Sequence, residues 1–302
     1  MQEILVRAGC FVAVILLGYM LRRIGFFKAE DFKVLSKIVL KITLPAAIVY
    51  SFSGKEIDPS MLSIILIGLG GGIIYMAIAG VINLRVGRDR QAFEMLNTSG
   101  YNIGNFTMPF VQSFLGPMGA ITTSLFDTGN AFVCLGGAFS VASMVKDNKG
   151  FSFKRIAKAL VKSVPFDCYV VMIVLNLAHI SLPSPVFSFA EMIGNANAFA
   201  AMLMLGVGFK LGGDRNQIFR IVRMLVVRYG VAVILAVSCF FLLPFSLEVR
   251  QALMILAFSP IASAAPAFTE EMKGDVGLAS AVNSLSIVIS IIFIVMLLLI
   301  TV

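Results

Sequence analysis

An all-α membrane protein of ten transmembrane helices, arranged as two inverted five-helix repeats, is the fold class this sequence predicts. Three observations carry that expectation. The 302 residues are 59% hydrophobic and 13% charged, with a mean hydropathy of +0.97, far from the balance of a water-soluble domain. The charged residues cluster, leaving ten apolar runs near the length of about 20 residues that crosses a bilayer. Two of those runs are interrupted in the same way, about 158 positions apart.

The runs fall at roughly 4–21, 34–53, 60–83, 92–111, 118–145, 159–180, 186–209, 222–243, 249–268 and 276–300. Arg22 and Arg23 follow the first where a signal peptide would show a small-residue cleavage site, so it reads as a retained helix. Orientation follows from Lys and Arg. With the N-terminus outside, the inner side receives Arg22, Arg23, Lys28, Lys33, Lys37, Lys41, Arg85, Arg88, Arg90, the basic residues at 146–162 and 210–228, and Lys273. That is 21 of the 24, leaving Arg7, Lys55 and Arg250 outside. The expectation is a multi-pass protein of the cell's inner (plasma) membrane, with the lipid bilayer as its partner and both termini outside. The net charge of +8 is thereby explained without a nucleic-acid partner.

An odd number of helices per half forces any internal repeat to be inverted. A shift of 158 positions aligns Phe110 with Phe268, Gly116 with Gly274 and Gly119 with Gly277, and brings Pro109 within one residue of Pro266. The expected units are a first repeat at 1–145, a cytoplasmic linker at 146–158 and a second repeat at 159–302.

The interruptions read Gly-Tyr-Asn-Ile-Gly-Asn-Phe-Thr-Met-Pro at 100–109 and Phe-Ser-Pro-Ile-Ala-Ser-Ala-Ala-Pro at 258–266. Proline removes a helical hydrogen bond and clashes with the preceding turn, and unwound backbone persists in hydrocarbon only where it lines a cavity. Freed carbonyls then suit a cation, and the N-terminal end of a half-helix suits an anion. Asn102, Asn105, Thr107 and Pro109 in the first break, Ser263 and Pro266 in the second, and Asn283 in the tenth run are the candidate substrate-binding residues. Asp127, Thr128 and Asn130 in the fifth run, with Ser286 in the tenth, are the candidate ion-coupling set. A carboxylate near mid-membrane costs roughly 2.5–3.5 kcal/mol on insertion scales. Two readings of Asp127 stay open: proton or cation coupling, and a structural hydrogen bond to the unwound fourth span.

Other features take the plainer reading. Thr43-Leu-Pro-Ala-Ala47, Asn195, Asn197, Gly206 and Gly208 either line the path or let helices pack closely, with packing ahead. Lys33, Lys37 and Lys41 share a helical face and read as snorkelling to the headgroups. His179 reads as interfacial, and the four cysteines as inert packing. The glycines at 68–72 lack the GK[ST] ending of a phosphate loop. No GxSG, HExxH or paired intramembrane aspartates appear, so no enzyme and no metal site are expected.

Residues 102–109, Asn-Ile-Gly-Asn-Phe-Thr-Met-Pro, followed by Phe-Leu-Gly-Pro-Met-Gly at 114–119, resemble the fourth-span signature of the auxin efflux carrier family. Pro165, Pro183, the Gly206-x-Gly208 ending, and Pro266 before an acidic inner loop look similar too. The resemblance covers essentially the whole chain, without the long central loop of the plant PIN carriers, as in a compact prokaryotic member. The commoner bacterial pattern has small or aliphatic residues where Phe106, Thr107 and Met108 stand here. The resemblance implies a fold similar to bile acid sodium symporters, with broken helices 4 and 9 crossing near the midplane. It implies a transport unit of spans 3–5 and 8–10 moving, elevator-like, against a scaffold of spans 1, 2, 6 and 7, and a homodimer formed through that scaffold. The expected substrate is a small organic anion such as malate, malonate or an indole acid, with no cofactor beyond a coupling ion, Na⁺ or H⁺. The competing expectation is a membrane sensor that binds such an anion without moving it.

Overall fold

Proline and glycine punctuate a chain that is otherwise helical throughout. The computed structural model describes residues 2–148, 150–210 and 217–301; among them the only extended pairing is an antiparallel bridge between Tyr101 and Ile261. Lys149 and Arg215, counted above as basic residues, lie outside the described residues.

The first half begins with α1 (Gln2–Arg23) and α2 (Asp31–Ile38). A π-helical turn (Val39–Thr43) joins α2 to α3 (Leu44–Ser51). That wider turn precedes Pro45, whose ring would otherwise meet the carbonyl four residues back. Next come α4 (Ser63–Ile82), α5 (Arg88–Thr98), a break, a second π turn (Ile103–Thr107) and α6 (Met108–Phe132). Gly116, with φ 61° and ψ −157°, kinks α6 immediately before Pro117. A third π turn (Val133–Gly137) leads into α7 (Ala138–Asp147). The second half contains α8 (Phe153–Leu160), α9 (Val164–Leu177), α10 (Ser184–Gly194), α11 (Asn197–Gly208), α12 (Ile218–Leu242), α13 (Leu247–Ala257), α14 (Ala265–Glu271) and α15 (Val276–Thr301).

Six helical stretches among the described residues are long and apolar enough to cross a membrane, or seven if the bent pair α8–α9 is counted as one. The sequence predicts ten, and the difference has local causes. The run at 34–53 is helical but carries Lys37 and Lys41 on top of its apolar residues. The runs at 92–111 and 249–268 are each divided by a break, leaving the 11-residue α5 and the 7-residue α14 on their own. Beyond the first break the helix merges with the fifth run into one stretch, Ile103–Asp147. The expected run at 159–180 holds α9, and helix α8 ahead of it meets α9 at 77°. Its Lys154, Arg155 and Lys158 alternate with apolar Phe153, Ile156 and Leu160, the pattern of a helix lying in a membrane interface.

The stretch Ile103–Asp147 is the most buried of the six, and α1 the least. Glycine allows the closest contacts. A Cβ on Gly68 of α4 would overlap the Phe126 carbonyl of α6, and one on Gly129 of α6 would overlap the Ile65 carbonyl of α4. The α1–α11 pair repeats the device, with Gly18 against the Leu203 carbonyl and Gly206 against that of Ile15. Small residues of this kind let backbones approach where hydrophobic burial does not separate helix from lipid. Thr43 donates to Asn197 Oδ1 at 2.9 Å, and Gly194 lies against the Ala47 backbone. The 43–47 segment, Asn197 and Gly206 therefore serve packing. Leu16, Met20, Val226, Ile234, Ile292 and Ile300 are exposed around the outside, an apolar girdle suited to acyl chains.

Gly129→Ala drives a methyl into the Ile65 carbonyl, so the α4–α6 pair has to separate, at a cost of about 1–3 kcal/mol. Its thermal midpoint in detergent is expected to fall clearly. Gly70→Ala, which meets open space, is expected to melt like the parent. Equal midpoints for the two variants would contradict the packing described.

Candidate functional site at the meeting of two helix breaks

The helix α5 ends at Thr98 and α13 at Ala257, and the two unwound segments beyond them run against each other. The Asn102 N–H donates to the Pro260 carbonyl at 2.8 Å, beside the Tyr101–Ile261 bridge. Asn105 Nδ2 donates to Ser263 Oγ at 3.2 Å, and Thr107 Oγ1 donates to Ser259 Oγ at 2.6 Å. Asn102 with Pro260, and Asn105 with Ser263, are each separated by the 158 positions that aligned the halves. Backbone groups that leave one helix thus find partners in the break of the other. Pro266 stands in the first turn of α14, where a missing N–H costs little, and Pro109 follows the second π turn as Pro45 follows the first.

Side chains from α6 and α15 hold the two segments in place. Asn130 accepts from the Tyr101 N–H at 3.0 Å and donates to its carbonyl at 2.9 Å, standing in for a strand neighbour. Asn283 donates to the carbonyls of Ile261 (2.9 Å) and Ala262 (3.2 Å). Ser286 Oγ accepts from the Ile261 N–H at 3.1 Å. Asn283 Nδ2 and Ser286, expected to meet substrate and ion, thus bond the second break's backbone, and Asn283 also lines a cavity.

Asp127 receives hydrogen bonds from Asn130 Nδ2 (2.8 Å) and the Tyr169 hydroxyl (2.9 Å). Both readings of this carboxylate keep a foothold, since it braces Asn130 and also faces a cavity. That cavity, of about 340 Å³, is lined by Asn102, Asn105, Asp127, Tyr169 and Ser263, with Lys41 and Lys162 also on its wall. A second cavity of about 300 Å³ shares Ser263, adds Pro266 and Asn283, and is bordered by Arg22, Lys33 and Lys210. Lys33 and Lys41, read from the sequence as snorkelling, therefore border cavities. Thr128 stands apart: its hydroxyl bonds the Ser124 carbonyl of its own helix. Glu271 is paired with Arg155 at 2.6 Å, while Glu270 borders the second cavity.

Two amide groups at the crossing lack partners among the described residues. Asn102 Nδ2 and Asn105 Oδ1 are buried with no hydrogen bond, although both residues line the first cavity. A buried unsatisfied polar atom costs about 1–3 kcal/mol, so such atoms on a cavity wall suit a ligand. Asn102 offers a donor to an anion, next to the amino end of the adjoining π turn.

Arg228 was counted with the basic residues of the inner loops, and the structure corrects this. It lies on α12 with 1% of its surface exposed. Its guanidinium donates to the carbonyls of Thr98, Ser259 and Pro260, above the rings of Tyr75 and Tyr101. The signal was present in the sequence: the residue stands well inside the apolar run at 222–243, where a cation needs a partner. Glu94 was likewise passed over. It is buried on α5, in ion pairs with Arg90, Arg220 and Arg223.

Asn130→Leu strips partners from the Tyr101 N–H and carbonyl together, at about 1–3 kcal/mol for each group left unpaired. Its thermal midpoint is expected to drop well below that of Thr128→Val, which removes only a bond within α6. A variant pair with matching midpoints would count against the bracing role.

Residues 10–152 match the model of a family described as membrane transport protein, a stretch that includes the first break, Asp127 and Asn130. No curated protein matches the chain. The chain's multiple apolar helices accord with that description. Through this match the N-terminal half of the chain is similar to a family of membrane transport proteins.

Proposed function

We propose that this membrane transporter is a secondary carrier or exporter of small organic anions, carboxylates such as malate, malonate or indole acids, working by elevator-like alternating access. The observation that carries the reading is the pair of unpartnered amide atoms, Asn102 Nδ2 and Asn105 Oδ1, buried on the cavity wall where two broken helices meet. A membrane-embedded site made of helix breaks from two halves is the arrangement transporters use for substrate. In this reading the chain comprises ten spans in two inverted repeats, at 1–145 and 159–302. The pairing of residues 158 positions apart at the crossing supports the two-fold relation. The first cavity lies between Lys41 and Tyr169, from spans 2 and 6, and Asn102, Asn105 and Asp127, from spans 4 and 5. That placement supports a scaffold of spans 1, 2, 6 and 7 facing a moving unit of spans 3–5 and 8–10, with the scaffold also joining two copies. The cations bordering both cavities, Lys41, Lys162, Arg22, Lys33 and Lys210, support a site open to the inner side and attractive to anions. Counterflow of labelled malate in proteoliposomes separates this carrier from a sensor that binds the anion without moving it.

Alanine at Asn102, Asn105 or Ser263 is expected to weaken malate or malonate binding while leaving the protein folded. Loss of a hydrogen bond to a charged group is worth roughly 1.5–3 kcal/mol, or about 10- to 150-fold in affinity. Unchanged affinity in all three variants, by calorimetry, would remove the site from the crossing.

Asp127 is proposed as the coupling group, taking up H⁺ or Na⁺ on the cavity wall. Asp127→Asn mimics the protonated carboxyl and keeps most of its hydrogen bonding. It should exchange anion but fail to accumulate it against a gradient. Concentrative uptake by the variant at the parental level would leave Asp127 with bracing alone.

Both termini are proposed to lie outside. On a background with the four free cysteines replaced, Asn148→Cys should resist an impermeant thiol reagent in intact cells and Pro185→Cys should react. The reverse pattern would invert the topology.

A further inference from the structure

Among the described residues, the α12 arginine is buried with no carboxylate paired to it. The nearby ion-pair group of Glu94 with Arg90, Arg220 and Arg223 does not include Arg228. What Arg228 has instead is carbonyl oxygen from both breaks: Thr98, where α5 ends, and Ser259 (2.9 Å) and Pro260 (3.3 Å), just past the end of α13. Carbonyls at helix C-terminal ends lack intrahelical donors and carry the negative end of the helix dipole. Convergent carbonyls of this kind, at unwound segments and half-helix ends, are what coordinate alkali cations in broken-helix sites. The Tyr75 and Tyr101 rings, 4.6 and 5.2 Å from the guanidinium carbon, complete an enclosure suited to a cation.

We infer that Arg228 is a tethered cation occupying, at the meeting of the two breaks, the place a bound alkali ion would take, so that the crossing assembles without Na⁺ or K⁺. A guanidinium suits the task because its planar fork can reach carbonyls of both segments at once. The same charge bears on the candidate anion site, since the Pro260 carbonyl that accepts from Arg228 also accepts from the Asn102 N–H. This role stands whether or not the transport reading holds, because it concerns how the crossing is held together.

The test uses full-length protein purified in detergent and followed by thermal unfolding. On an Asp127→Asn background, which removes any ion uptake by that carboxylate, the protein should melt at the same temperature in sodium chloride, potassium chloride and choline chloride of equal ionic strength. Arg228→Ala should lose about 5 °C or more, and millimolar ethylguanidinium should restore part of that loss while neutral ethylurea does not. Arg228→Lys, which keeps the charge but not the fork, should fall between parent and alanine variant. A merely space-filling arginine would respond to neither the charge nor the shape of the added molecule. An Asp127→Asn midpoint that rises in sodium or potassium over choline would overturn the inference, as would equal rescue by ethylurea. If the alanine variant does not fold, the salt comparison on the Asp127→Asn protein and the lysine variant still decide.

Discussion

Backbone amides and carbonyls released inside an apolar environment have to be paired, and the rest of this structure is arranged around meeting that requirement twice. Each break sets free several groups, and each left unpaired costs about 1–3 kcal/mol, against a total stability of about 5–15 kcal/mol for a typical protein. A lone break would be ruinous. Two breaks side by side supply each other, through the Asn102–Pro260 hydrogen bond and the Tyr101–Ile261 bridge. What they do not satisfy is taken up by Asn130 for the first segment and by Asn283 and Ser286 for the second. The polar residues of α6 and α15 are thus dictated first by the backbone they face.

That accounting separates structural from ligand-directed polarity. Asn130, Ser286 and Thr107 are engaged within the crossing, as is Asn283 through its Nδ2, whereas Asn102 and Asn105 each retain a buried atom without a partner among the described residues. Charge is partitioned around the same segment. Arg228 lies over the Tyr101 ring, while Asp127 connects to the Tyr101 backbone through Asn130. A cation and a carboxylate are therefore built into the crossing without touching one another. The carboxylate reaches the cavity, and the guanidinium is enclosed.

Glycine-paired backbones tie α4 to α6 and α1 to α11, whereas the polar link across the first cavity is the hydrogen bond from Tyr169 to Asp127. Close backbone contacts resist sliding because they leave no slack, while one hydrogen bond beside a cavity exchanges readily with water or ligand.

The sequence by itself determined the membrane class, the two breaks and their 158-residue spacing, because apolar length, proline and glycine act locally and leave a pattern in the chain. It also marked Asn102, Asn105, Asp127 and Ser263, since polar residues in apolar runs stand out one by one. It did not divide them by role. Whether an asparagine braces backbone or faces a cavity depends on which segment passes beside it, and that segment lies 29 residues away for Asn130, 22 for Asn283 and 158 for Asn105. The same holds for Arg228, which its position in the chain counted toward the inner side and three distant carbonyls assign to the core. The bend before α9 was hidden for a related reason, since an interfacial helix and the start of a span have similar composition. Only tertiary structure decided these points, because hydrogen-bond partners in an apolar interior are set by which breaks meet, and no local pattern records that meeting.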